Sequence, residues 1–380
     1  MIAYRTAACA DRARDPPEDI RWRLVDFLVA TEDLHTCCFL DRPSAALEPG
    51  QARLAVERFG LTANNITYAA FGEAMSYWSF FPAEDGWGRI PVWGFALVVE
   101  SLHDQLEPGV LVYGYLPPSS ELVVAPAGVG RGGFFDGTPH RAQLPAAYNR
   151  YTRADADPLY DEDGEDEQVL LRPLFLTAFL LEDMLEEAEL FGAETVILSS
   201  ASSKTAGAVA YLLDRRGRAA VVGLTSPRSV DFTRSLGVYG EVLSYDELDE
   251  LPSGRAVYVD IAGDAEVRAA VHGRYREELA HSAVVGATHH DRLAAGAGEL
   301  PGPRPQLFFA PDRFSKFADG DGRGSLERSV ADAWRPYVQW TRGWLEVMHG
   351  SGPRQLEHTY LDLLDGRVNP STAHVLTLAG

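Results

Sequence analysis

The sequence predicts an α/β fold in two domains, a β-rich one followed by a doubly wound parallel sheet. Three observations predict it. Between Leu47 and Pro126, short apolar runs alternate with Pro/Gly turns, the pattern of a β-rich domain. From Leu170 to Phe191 the apolar period becomes helical. After Val196, short strands alternate with helical stretches, as a parallel sheet requires. A chain of 380 residues suits about two cores.

Each element has its own signal. Leu47-Glu48-Pro49-Gly50-Gln51 is a turn, and Ala52 to Phe59 alternates apolar and polar residues as a half-exposed strand does. Leu61 to Tyr68 is expected as a loop. Ile90 to Val99, Val110 to Leu116 and Glu121 to Pro126 are further strands, separated by Leu106-Glu107-Pro108-Gly109 and Pro117-Pro118. In the expected helix, Leu176, Phe179, Leu180, Met184, Leu185, Ala188 and Phe191 fall on one face. The parallel strands expected are Val196–Ser199, Ala219–Leu224, Glu241–Leu243, Ala256–Ile261 and Ser282–Ala287. Ser325 to Met348 is expected as one long helix carrying Trp334, Trp340 and Trp344. His358–Leu364 is a shorter helix and Ala373–Leu378 a final strand.

Composition excludes several classes. The chain is 46% hydrophobic and 23% charged, an ordinary globular balance. Its formal charge of −21 argues against nucleic acid and anionic membrane as partners, since both need a basic face. No apolar run approaches the roughly 18 residues of a membrane span. Arg5, Arg12 and Arg14 have no apolar core behind them, so no signal peptide is expected. Cys9, Cys37 and Cys38 are too few for a disulfide framework. A reducing cytoplasm is the simplest compartment. Asp155 to Glu167 concentrates acids without a base, and is expected as a solvated surface loop.

The most informative stretch is Val196 to Tyr245. A short strand feeds a helix through Ser199-Ser200-Ala201-Ser202-Ser203-Lys204-Thr205. Free backbone N–H groups and the helix dipole converge at such a turn and make an anion site. A second strand ends in Thr225-Ser226-Pro227-Arg228, where an NAD site usually carries an acid for the ribose. Hydroxyls and an arginine suit a 2′-phosphate instead, so NADPH is the expected cofactor. The turn is not a P-loop, because the required glycines are absent. It also lacks the G-x-S-x-G elbow of a serine hydrolase.

The order of β-rich domain, long helix, βαβ unit and returning strand resembles the medium-chain dehydrogenase/reductase superfamily. It is closer to the zinc-free quinone- and enoyl-reductase branch, and similar above all to the DUF2855 family. The patches that carry this are Pro49-Gly50-Gln51, Leu61 to Tyr68, Ile90-Pro91-Val92-Trp93-Gly94-Phe95, Ser200 to Ala206, Val259-Asp260-Ile261-Ala262-Gly263 and Val284-Val285-Gly286-Ala287. The resemblance implies a GroES-like barrel over residues 1–168, completed by 350–380, and a Rossmann domain over 169–349. It places Ser200, Ser202, Ser203, Lys204, Thr205 and Gly286 at the cofactor. Thr225, Ser226 and Arg228 fall on the hydroxyl-plus-basic pair of NADPH-using members, and Tyr245 on a tyrosine that lies against the same phosphate. Lys204 and Ala206 stand on two glycine positions of the fingerprint. No Cys or His pair stands at the catalytic-zinc positions, so no metal is expected.

The resemblance also places Asn65, Tyr68 and Tyr77 at the active site. Tyrosine suits proton donation and asparagine can orient it or bind an oxyanion; the alternative is core tyrosines with a hydrogen-bonded tip. Tyr77-Trp78-Ser79-Phe80-Phe81, Trp87 and Trp93 form either core or the wall of an apolar pocket. Tyr148 to Arg153 is expected as a loop, with anion clamping as the alternative. His289-His290-Asp291 fits a loop beside the nicotinamide better than zinc. The expected function is reduction of an activated C=C or carbonyl in a small apolar or acyl-type substrate. Two rivals stay open: a non-redox enzyme on the same scaffold, and a non-catalytic nucleotide-binding protein. The expected partner is that small-molecule substrate, with a homodimer also possible.

Overall fold

The computed structural model describes residues 23–285, 300–315 and 321–378. Gly286 and His289-His290-Asp291 lie outside them. The chain divides into two compact units, Met1–Leu170 with Glu346–Gly380, and Leu171–Leu345.

The first unit is built mainly on antiparallel strands. Its large sheet runs in space Glu346–Ser351, Thr372–Thr377, Ala52–Leu61, Val92–Ser101, Leu111–Leu116, Arg150–Arg153, Gly133–Asp136, Pro126–Gly130, with Glu121–Val124 also on Ala52–Leu61. A small sheet joins Arg23–Ala30, Cys37–Pro43 and Trp87–Gly88. Ala52–Leu61 is central and largely buried, not half-exposed. Its polar alternation is absorbed by ion pairing: buried Arg53 reaches Glu121 at 2.6 Å and Glu100 at 3.1 Å. At Gly60 the strand comes so close to the next segment that a Cβ would sit 2.5 Å from the Val169 carbonyl oxygen.

Four local expectations are corrected here. Leu61 to Tyr68 is not a loop, for the helix Ala63–Ala70 starts after Thr62. The Asn65 side chain reaches back to accept from the Thr62 N–H at 2.8 Å and so supports that start. Tyr148 to Arg153 is not a loop either, since Arg150–Arg153 pairs on both edges. The acidic tract is only partly solvated. Its end opens the helix Glu165–Glu187, where acids complement the helix dipole, and Asp157 is buried, accepting from Gln168 at 3.2 Å. The long C-terminal helix stops at Thr341, and Glu346–Ser351 becomes an edge strand parallel to Thr372–Thr377.

The second unit is a six-stranded parallel sheet. Its spatial order is Glu241–Ser244, Ala220–Thr225, Thr195–Leu198, Ala256–Asp260, Leu279–Val285, Gln306–Phe308. Numbered along the chain this is 3-2-1-4-5-6, the order of a Rossmann sheet, whose switch point lies beside the first strand. The central strands are buried on both faces, which is why they are continuous runs of Val, Ile and Leu.

Candidate functional site

The turn after Leu198 stands at that switch point. Ser200 holds a left-handed backbone, φ 52°, a conformation that favours glycine. Its carbonyl accepts from the Ser203 N–H at 2.8 Å. Ser203 then caps the helix Lys204–Arg216, its Oγ accepting from the Ala206 N–H at 3.2 Å. The first turn of any helix leaves backbone donors without intrahelical partners, and Ser203 takes up the one on Ala206. Lys204 opens the helix and is half-buried, and desolvation pushes its ammonium down to about 8. Thr205 is half-buried beside it.

The second strand delivers the other predicted residues. Thr225 is buried and donates through Oγ1 to Ser202 Oγ at 3.1 Å, tying the two strand ends together. Ser226 Oγ donates to Ser229 Oγ at 3.2 Å, and Arg228 is exposed in the short turn Pro227–Ser229. Tyr245 reaches the turn itself: its hydroxyl accepts from the Ser200 N–H at 2.9 Å. Burial raises the Tyr245 phenol above its ordinary value, so it stays protonated.

Beneath the turn lies a buried polar network that the sequence reading did not single out. Ser199 Oγ donates to Asp260 at 2.9 Å and accepts from the Ile261 and Ala262 N–H groups at 2.9 and 3.0 Å. Asp260 also accepts from the Gly263 N–H at 2.9 Å and from Arg268 at 2.8 Å. This locks the ends of the first and fourth strands together. The available signal was Val259-Asp260-Ile261-Ala262-Gly263, an acid at the end of an otherwise apolar strand.

In the first unit, Tyr68 and Tyr77 do come together, with ring centroids 4.6 Å apart. Tyr115 and Tyr148 join them, 5.7 Å from Tyr68 and 4.8 Å from each other respectively, and Trp93 packs 5.0 Å from Tyr115. Trp93 Nε1 donates to the Tyr68 hydroxyl at 3.3 Å. Burial raises the Tyr68, Tyr77, Tyr115 and Tyr148 phenols, so all are proton donors rather than bases at neutral pH. Tyr115 was missed, and Tyr148 was read only as part of a loop, because they arrive from a strand and a turn distant in sequence. Asn65 does not orient a tyrosine. Its amide oxygen is taken by Thr62, and its Nδ2 donates to the Pro91 carbonyl at 2.9 Å. Arg153 is no free anion clamp, being paired to Asp155 at 2.7 Å.

Among the described residues, no group of three or more His, Cys, Asp or Glu side chains could hold a metal ion. Nor is any described helix long and apolar enough to cross a membrane.

Comparison with known proteins places this geometry. A family model described as "Protein of unknown function (DUF2855)" matches residues 59–369. The chain belongs to the DUF2855 family. No curated protein matches it. Among solved structures, the DUF2855 chain is similar to the quinone oxidoreductase from Coxiella burnetii. The identity is 14%, over 94% of this chain and 100% of that one, with TM-score 0.55. It is similar to CurA in complex with NADPH from Vibrio vulnificus, at 13% identity over 94% and 100%, with TM-score 0.56. A mutant form of enoyl thioester reductase from Candida tropicalis shares 11% identity over 94% and 100%, with TM-score 0.56. At these identities the likeness is one of fold. The DUF2855 chain thus has the medium-chain reductase architecture, a GroES-like domain with a Rossmann domain.

Proposed function

We propose that this chain is an NADPH-dependent, zinc-independent cytoplasmic reductase of an activated C=C or carbonyl in a small apolar or acyl-type substrate. One observation carries the reading. The serine-rich turn Ser200–Lys204 sits at the switch point of a 3-2-1-4-5-6 sheet, and the neighbouring strand ends in Thr225-Ser226-Pro227-Arg228 with no acid. The NADPH complex of the structurally similar CurA supports it.

When bound, NADPH supplies the hydride. Ser202, Lys204 and Thr205 would hold its pyrophosphate, and Ser226 and Arg228 its 2′-phosphate. A guanidinium on a phosphate makes a charge-assisted bond, which selects the phosphorylated nucleotide. Tyr68 or Tyr77 would give the proton that balances the hydride, and burial keeps both phenols protonated.

Lys204 and Ala206, standing on the two glycine positions of the fingerprint, favour one second reading: the scaffold kept for a non-redox step. Titration with NADPH followed by a substrate panel separates them. Binding with nucleotide oxidation supports the reductase. Binding without turnover makes the protein a nucleotide binder, and substrate conversion without nucleotide makes it a non-redox enzyme.

A further inference from the structure

Tyr245 makes an unusual pair of attachments. Its backbone N–H donates to the Thr225 carbonyl at 2.9 Å, which fixes it to the end of the second parallel strand. Its hydroxyl crosses to the end of the first and accepts from the Ser200 N–H, also at 2.9 Å. Ser200 is thereby held at both backbone groups, N–H by Tyr245 and carbonyl by Ser203. It is held in a left-handed conformation that an L-residue with a side chain adopts only at a cost. A glycine would need no such clamp.

We infer that Tyr245 is the positioning residue of the nucleotide turn: its hydroxyl holds Ser200 in the form a glycine would supply, and so sets the affinity for NADPH and NADH alike. A phenol both accepts and donates. Here the acceptor side is occupied by Ser200. Among the described residues no acceptor takes the hydroxyl proton, which stays available to a phosphate oxygen at the turn. A donor that is itself hydrogen-bonded by an N–H is polarised toward giving its proton. The pyrophosphate is common to both nucleotides, whereas the 2′-phosphate belongs to one. Tyr245 therefore contributes affinity and not selectivity, which falls to Ser226 and Arg228. The inference rests on the reductase reading for its ligand, and on the turn geometry alone for the clamp.

Both nucleotides are titrated against the wild type, Tyr245→Phe, Ser200→Gly and the double variant. Loss of one such bond is worth about three- to tenfold in affinity. Tyr245→Phe is expected to weaken NADPH and NADH by the same factor and leave their ratio unchanged. Ser200→Gly in that background is expected to recover part of the loss, since glycine needs no clamp. Amide exchange at Ser200 is expected to quicken in Tyr245→Phe. A loss confined to NADPH would return Tyr245 to the 2′-phosphate and overturn the inference. Tighter binding would overturn it too, because the hydroxyl would then be a plug. If the wild type binds neither nucleotide, the reductase reading and the affinity claim fall together. Unchanged Ser200 exchange in Tyr245→Phe would refute the clamp by itself.

Discussion

In the proposed nucleotide site, Lys204 would introduce a pH dependence that a glycine-rich turn lacks. Its ammonium stands at the first position of the helix Lys204–Arg216, and burial lowers it from 10.5 to about 8. Nothing of that size acts on a solvated lysine. If only the charged form grips the pyrophosphate, affinity follows the charged fraction in the free protein. That fraction is about nine-tenths at pH 7 and about one-tenth at pH 9. NADPH is therefore expected to bind about tenfold more weakly at pH 9, a loss of ~1.4 kcal/mol. The sign follows from linkage: binding a phosphate raises the ammonium again, so association takes up a proton and weakens as pH rises. Calorimetric titration at several pH values, in buffers of different ionisation enthalpy, reads both the affinity and the proton uptake. NADH is the control, because it keeps the pyrophosphate without the 2′-phosphate. Lys204→Ala is expected to weaken binding by about 1–3 kcal/mol and to flatten the profile. Lys204→Gly is expected to cost the same or less, since it restores a close backbone approach. A pH-independent wild type, or an unchanged profile in Lys204→Ala, would refute the assignment. Tighter binding by both variants would make Lys204 an obstruction and move the non-redox reading to first place.

Three further outcomes are expected. NADPH should bind at least about tenfold tighter than NADH, because one charge-assisted contact contributes about 1.5–3 kcal/mol. Arg228→Ala should erase most of that preference, and equal affinities in the wild type would contradict it. Elemental analysis should find no stoichiometric zinc and a chelator should leave activity intact, whereas one zinc per chain lost together with activity would show a missed ligand set. His272 is fully buried between the Pro301 carbonyl and Ser282 Oγ, each at 2.9 Å, and burial lowers it below 6.5. It is neutral when folded but charges when unfolded, so stability falls as pH drops below about 6.5, by at most about 2 kcal/mol by pH 5. Thermal unfolding of His272→Asn should show a shallower acid limb than the wild type, and parallel curves would exclude this origin.

The sequence by itself determined those features whose signal is local. Alternation of short Val/Ile/Leu runs with helical segments revealed the parallel sheet, because a strand buried on both faces must be apolar throughout. The Ser-rich turn before Lys204 and the acid-free end of Thr225-Ser226-Pro227-Arg228 were equally legible, since each lies within a few residues. Tertiary structure decided what depends on distant partners. Leu61 to Tyr68 became helical after Thr62, with Asn65 bonded to Thr62 and Pro91 instead of to a tyrosine. Glu346–Ser351 became a strand because Thr372–Thr377 offers it a parallel edge. Tyr115 and Tyr148 joined Tyr68 only when a strand and a turn far along the chain folded back. Tyr245 found Ser200, 45 residues away, across the ends of neighbouring strands. A side chain's type is written in the sequence, but the group that takes its hydrogen bond is chosen by the backbone brought beside it. At the turn that backbone is a serine N–H in a conformation usually left to glycine.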